Sequence, residues 1–397
     1  MTTLKQISYL LLAMAGLVFL PYLGAWTYHA GLFPAHFFDY PPLSAPPKSG
    51  FNGLIFSGIA VVFVLVILLY AFPRLFGFRR VEMVRQVARQ PTALPVWFWV
   101  GLVLWGGTLL LLWTKSEEPK WLLNWAYLPL FWGFTFVIDG WVYIRANGES
   151  LVSRFPREVI GIGVAATSGW MLFEYLNFFV DENWYYPRGD IVPDDEFTVY
   201  AIAGSSGLMP TVFELYTLMN TFRFRHRFDR GPKITLPKSV GIGVLVLAFS
   251  GMFAIGFFPD GMFGVLWLSP LLVLSVVLER IGIWTPFTPV KEGNWSPLLK
   301  YALTYLIYGF LLEWWNYYNS THDPADPGHI VTFTPAHWVY SLPYVNRFHV
   351  FEMPLLGYLG YLPFGVYCAV WWIAFAFLLN IPTQFARDDQ SLYILKS

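Results

Sequence analysis

Apolar residues run along this chain in long blocks, broken by short polar, basic or prolyl stretches. The blocks at 9–26, 54–72, 96–113 and 239–258 reach or approach the ~20 residues a helix needs to cross the hydrocarbon layer. No water is available there, so backbone groups must pair within the segment, and blocks of this length predict helices. A membrane β-barrel would instead show short alternating segments. The pattern predicts an all-α, polytopic transmembrane helix bundle of about ten spans. They fall near 8–26, 53–73, 96–114, 124–144, 158–180, 198–221, 239–258, 261–283, 298–318 and 350–380. The first block is too long for a signal-peptide core and lacks a clear small-residue cleavage site, so it reads as the first span. The sixth carries Gly204, Ser205, Ser206, Gly207 and Pro210, which predict a break. The tenth is long enough to start with an interfacial turn.

Composition agrees with this pattern. Only 13% of the 397 residues are charged, whereas 56% are apolar and 20% aromatic. A soluble domain carries about 25% charged residues. Net charge is zero, which argues against nucleic acid as a partner. The expected partner is a membrane lipid or hydrophobic small molecule, and an oligomer or a larger complex stays open. Cys368 is the one cysteine, so intrachain disulfides and cysteine-based metal centres are excluded. Basic residues cluster in alternate loops: Arg74, Arg79, Arg80, Arg85 and Arg89; then Arg145, Arg154 and Arg157; then Arg223, Arg225, Arg227, Arg230, Lys233 and Lys238. By the positive-inside rule these loops are cytoplasmic. Both termini are then cytoplasmic, and a bacterial inner membrane is the expected location.

An internal duplication is expected. Glu174-Tyr-Leu-Asn177 matches Glu313-Trp-Trp-Asn316, Val212-Phe-Glu214 matches Val350-Phe-Glu352, and Asp139 matches Glu279. The shift is about 139 residues, with gaps confined to loops. The expected division is a two-span region at 1–94, a four-helix unit at 95–235 and its parallel copy at 236–397, related by an axis along the membrane normal. Inverted repeats are the other common design.

Ionisable groups inside a span are costly and mark function by default. Asp139, Glu174, Glu214, Glu279, Glu313 and Glu352 are therefore the catalytic candidates. A carboxyl kept from water favours its neutral form and can donate a proton. The bland alternative is polar glue between helices. Asn177 and Asn316 stand one helical turn from their glutamates and could hold a carboxyl or contact a ligand. Trp184, Tyr185, Trp314 and Trp315 join them as binding candidates, in runs that also contain Phe173, Tyr175, Phe178, Phe179, Tyr186, Tyr317 and Tyr318. Such rings form either an interfacial belt or a pocket whose faces stabilise positive charge. His322, His329, His337 and His349 share one outer loop with Asp323 and Asp326, but their spacing fits no compact metal motif, and no metal is expected. The chain lacks dinucleotide, Walker, nucleophile-elbow and HExxH motifs, and no cofactor is expected.

The order of an intramembrane acid, a tryptophan-rich turn and a further glutamate near a proline resembles the small integral-membrane lycopene cyclases and related membrane terpene cyclases. The matching residues are Glu174, Trp184 and Glu214 in the first unit, with Glu313 and Glu352 in the second. The resemblance spans windows of about 45 residues and lacks that family's adjacent glutamate pair. It implies acid-initiated cyclisation or isomerisation of a polyene without net redox change. The expected function is thus action on, or binding of, a hydrophobic isoprenoid-like substrate through intramembrane carboxyls. A proton- or ion-coupled transporter and an assembly subunit of a membrane complex are the alternatives.

Overall fold

The computed structural model describes residues 3–80, 92–322 and 330–386. Arg85, Arg89, Asp323, Asp326 and His329 lie outside the described residues. The helices are α1 (Thr3–Tyr28), α2 (Gly53–Ala71), α3 (Val96–Trp113), α4 (Lys120–Asn124), α5 (Tyr127–Arg145), α6 (Leu151–Arg154), α7 (Pro156–Asn177), α8 (Asp194–Ser205), α9 (Leu208–Asn220), α10 (Lys238–Ala254), α11 (Val265–Arg280), α12 (Ser296–Tyr318) and α13 (Tyr361–Leu378). Two-residue strands accompany them: β1 (Trp184–Tyr185), β2 (Thr321–His322), β3 (Ile330–Val331), β4 (Val339–Tyr340), β5 (His349–Val350) and β6 (Met353–Pro354). They form three antiparallel pairs, β1 with β4, β2 with β3, and β5 with β6.

Six helical segments are long and apolar enough to cross a membrane: Thr3–Tyr28, Gly53–Ala71, Val96–Trp113, Tyr127–Arg145, Pro156–Val180 and Leu355–Leu378. Two of the expected spans are not continuous α-helices. The stretch at 198–221 stops at Ser206-Gly207 and restarts as α9. A Cβ on Gly207 would lie 2.6 Å from the Phe131 Cβ, so only glycine lets the break seat against α5. The stretch at 350–380 begins with a strand pair and a 3₁₀ turn (Leu355–Gly360), and its α-helix starts at Tyr361.

The core centres on α13. Tyr367, Cys368, Ala369, Val370 and Trp372 are fully buried there, although the helix has no polar face. A helix apolar all round belongs either in lipid or inside a protein, and α13 takes the inner place. Close approach depends on small residues. A Cβ on Gly365 of α13 would lie 2.2 Å from the Tyr301 carbonyl oxygen of α12. At the α3–α5 crossing, a Cβ on Gly101 would lie 2.6 Å from the Gly133 oxygen. By contrast, α2 buries no residue. One stripe of it, Phe56, Ile59, Ala60 and Phe63, leans on the core.

Candidate functional site

Glu174 and Asn177 sit in the last turn of α7. A 3₁₀ turn (Phe178–Val180) follows, and Asp181 and Glu182 then take left-handed conformations (φ 51° and 53°) that turn the chain back. Asn177 Nδ2 donates to the Trp184 carbonyl oxygen at 2.8 Å and fixes the returning strand to the helix end. Successive side chains of a strand point to opposite faces. Trp184 and Tyr186 therefore turn together toward Glu174: the Trp184 indole donates to Oε1 at 3.3 Å and the Tyr186 hydroxyl at 2.6 Å.

The same arrangement stands at the end of α12. Asn316 Nδ2 donates to the Trp338 carbonyl oxygen at 2.7 Å, and the Trp338 amide donates back to Asn316 Oδ1 at 3.2 Å. The Trp338 indole and Tyr340 hydroxyl donate to Glu313 Oε1 at 3.3 and 2.9 Å. The Tyr361 hydroxyl, at the start of α13, donates to the same oxygen. Gly309 makes room for that ring, because a Cβ there would lie 2.4 Å from Tyr361 Cδ2. In both carboxyls Oε1 takes the donors. Oε2 is buried without a hydrogen bond of normal geometry. The Trp170 indole stands beside the Glu174 carboxyl.

Strands β1 and β4 pair antiparallel, Trp184 against Tyr340 and Tyr185 against Val339, and bring the two arrangements together. Between them lies a cavity of about 100 Å³. Trp184 and Tyr186 from one side and Trp338, Tyr340 and Tyr361 from the other form its wall, with Trp170 and Trp267 between. Thirteen of its twenty lining residues are aromatic and none is charged, so it has no place for a phosphate or carboxylate. The glutamates are not in the wall but one hydrogen bond behind it. Burial, and next the charge of Glu174, raise the Tyr186 phenol well above its ordinary range; burial and then Glu313 do the same for Tyr340. Both stay neutral donors.

The remaining candidates lie elsewhere. Tyr185 points to the opposite face of β1 from Tyr186. Trp314 packs on Trp113 at 5.2 Å, and Trp315 is buried against Phe134 at 5.1 Å; neither lines the cavity. Asn177 and Asn316 hold backbone rather than the wall. Asp139, fully buried in α5, accepts from Trp97 Nε1 (2.7 Å), Ser150 Oγ (2.8 Å) and the Val152 amide (2.9 Å). The Glu214 carboxyl on α9 is buried near it, and neither Glu214 oxygen has a hydrogen bond of normal geometry.

Glu279 is no buried counterpart of Asp139. It is exposed at the end of α11, where Thr285 Oγ1 donates to it at 3.3 Å. Arg280 does not neutralise it but donates to the Lys238 carbonyl oxygen. Glu352 lies in the β5–β6 turn, with His322 Nε2 at 2.6 Å and His337 Nε2 at 3.5 Å. Burial pushes the Glu352 carboxyl up, but hydrogen bonds and charge from His337 and His322 outweigh it and hold the group below the usual carboxylate range. Among the described residues, no three histidine, cysteine or acidic side chains are placed to hold a metal ion.

The Val-Phe-Glu match is not a match in space, since Glu214 is mid-helix and Glu352 is in a turn. Helices α9 and α13 each follow a glycine and carry a proline three residues on, in Gly207-Leu-Met-Pro210 and Gly360-Tyr-Leu-Pro363. The wall residues Trp338, Tyr340, Tyr361, Trp170 and Trp267 were absent from the sequence candidates. Their available signal was a Trp-x-Tyr triplet after each Glu-x-x-Asn, at 184–186 and 338–340. The chain matches no family model, no curated protein and no solved structure.

Proposed function

We propose that this protein acts on a neutral, hydrophobic, isoprenoid-like substrate held in the aromatic cavity, with Glu174 and Glu313 as proton donor and acceptor. The observation that carries the reading is the pair of glutamates, each bonded by a tryptophan and a tyrosine of a Trp-x-Tyr triplet, backing one uncharged cavity. The carboxyls stand behind the wall, so the groups that touch substrate are the hydroxyls of Tyr186, Tyr340 and Tyr361. One glutamic acid hands its proton to the hydroxyl in front of it as that hydroxyl, turned to the substrate, releases its own to a carbon–carbon double bond. The π pair forms the new C–H bond and leaves a carbocation facing electron-rich rings. Attack by a second double bond closes a ring, and loss of a proton to the opposite carboxylate through its tyrosine gives a neutral isomer. No oxidant or reductant enters. This is the cyclase or isomerase chemistry that the resemblance to membrane lycopene cyclases implies.

The same reading includes an ancestral duplication, about ten membrane crossings counting the broken α8–α9 pair, α10, α11 and α12, and cytoplasmic termini in a bacterial inner membrane. Support for the duplication comes from the recurrent Glu-x-x-Asn and Trp-x-Tyr motifs and from strand pairing with local two-fold register. The test is native mass spectrometry with lipid analysis on the wild type and a Glu174→Gln/Glu313→Gln double variant. A neutral isoprenoid-like molecule on the wild type, accumulating unconverted on the variant, is the expected result. No bound molecule, or the same molecule processed equally by both, overturns the proposal.

The buried carboxyls of Asp139 and Glu214 favour a second reading, proton-coupled transport, because ionisable groups inside spans suit a proton relay. That reading requires pH-driven solute flux in proteoliposomes, and flux indifferent to Glu214→Gln would count against it.

A further inference from the structure

Where the cavity meets the outside bears on how a ligand reaches it. Its lining includes Asn124 at the end of α4 and Tyr200 and Ala201 on α8, all partly exposed. Tyr200 bridges the gap. Its hydroxyl donates to Glu196 Oε2 at 3.0 Å, and it lines the cavity together with Asn124. Its ring meets Trp125 edge-on at 4.8 Å. The surface around this rim is apolar: Trp121 is 68% exposed, Val199 51% and Ile202 41%. Asp194, Asp195 and Glu196 crowd the first turn of α8 and mark its water-facing end. Tyr200 lies four residues beyond Glu196, about 6 Å along the helix at 1.5 Å per residue. A tryptophan and a tyrosine together at such a rim are typical of the boundary between headgroups and hydrocarbon. Helix α8 ends at the Ser206-Gly207 break.

We propose that the ligand enters sideways from the membrane, through a portal between α4 and α8 that Tyr200 closes against Asn124 and Trp125. This rests on the cavity being the binding site and narrows the substrate class. The ligand is a neutral lipid with a long apolar chain. Its compact end lodges between Trp184 and Trp338, and its chain runs out past Tyr200 between Trp121 and Val199. A water-borne solute has no such route, because the rim faces hydrocarbon, and an anionic headgroup finds no cation among the lining residues.

The test uses the full chain in nanodiscs. Cys368 is fully buried, so an Asn124→Cys/Tyr200→Cys pair is the reactive site for a reversible bifunctional thiosulfonate. The probe is retinol, a neutral polyene alcohol, followed by energy transfer from the cavity tryptophans. Cross-linking is expected to slow association and dissociation at least tenfold, with recovery on reduction, and Tyr200→Ala is expected to speed both severalfold. Unchanged exchange in the cross-linked protein overturns the portal and leaves the cavity reading standing. Failure of the wild type to bind retinol or retain any neutral lipid overturns the cavity reading and the portal with it.

Discussion

Tyr185 and Val339 face each other at the centre of the β1–β4 pair, and Trp184 lies opposite Tyr340. The same register sets Tyr186 against Trp338. Position one of each Trp-x-Tyr triplet therefore meets position three of the other, so two carboxyl sites from distant segments share one cavity.

The asparagine ties are structural. Replacing Asn177 or Asn316 by leucine keeps the volume but leaves a buried tryptophan carbonyl unpaired, a cost of about 1–3 kcal/mol. Either variant should melt earlier in detergent and show altered tryptophan emission, and Asn177→Asp, whose carboxylate has no N–H for the Trp184 carbonyl, should not restore it. Wild-type melting and emission in both leucine variants would show that the ties do nothing.

The tyrosine hydroxyls should matter to turnover more than to binding. With the ligand identified by mass spectrometry, Tyr186→Phe/Tyr340→Phe should lower conversion about 100-fold, as expected for loss of general acid–base groups. The phenyl rings preserve the wall, so affinity should stay within about threefold. An equal loss of affinity and rate would reassign these hydroxyls to binding.

Gly309→Ala tests the room made for Tyr361. The added methyl would overlap the ring, and overpacking costs about 1–3 kcal/mol, against about 1 kcal/mol gained in helix propensity. A lower melting temperature is expected, and Gly309→Ala/Tyr361→Leu should recover it without recovering turnover. Unimpaired melting in the single variant would mean that Tyr361 moves freely.

Asp139 and Glu214 should respond unequally. Asp139 accepts three donors, whereas neither Glu214 oxygen has a hydrogen-bond partner. Glu214→Gln breaks no hydrogen bond and should change stability by under about 1 kcal/mol, while Asp139→Leu strands three donors at about 1–3 kcal/mol each. Equal effects by chemical denaturation would show that the donors to Asp139 add nothing to stability.

Glu182 predicts a pH dependence of stability. Burial, then repulsion from Asp181, raise its carboxyl from 4.5 to about 7, with Lys48 offsetting part. Between those values the folded state binds more protons than the unfolded one, so this group lowers stability as pH rises through the window. Glu182→Gln should therefore raise the melting temperature at pH 8 and leave it nearly unchanged at pH 4. A gain of the same size at both pH values would place the effect outside titration.

Much of the frame was legible in the sequence because block length reports the membrane directly. The 198–221 break was readable from Gly204, Gly207 and Pro210, and the late helical start of the last span from its length. Glu174, Glu313, Asn177 and Asn316 were found because the Glu-x-x-Asn motif sits on one helical face. Their partners were not, because Trp184 follows its glutamate by 10 residues and Trp338 follows by 25, so a fixed shift aligns the helices and misses the strands. The same rigid shift favoured Val-Phe-Glu over the glycine-proline motif that starts α9 and α13. Trp314 and Trp315 were chosen for closeness along the chain, but helix geometry aims them at α3 and α5 instead.

Under the proposed function, placing the acids one hydrogen bond behind the rings separates recognition from reactivity. Shape would be set by the apolar lining, and proton supply by a fixed backing. Related chains could then reshape the chamber for a longer or shorter guest while the carboxyls stay where they are. Redesign of this protein toward a new hydrophobic guest should begin at Phe131 and Leu208, apolar side chains that line the chamber.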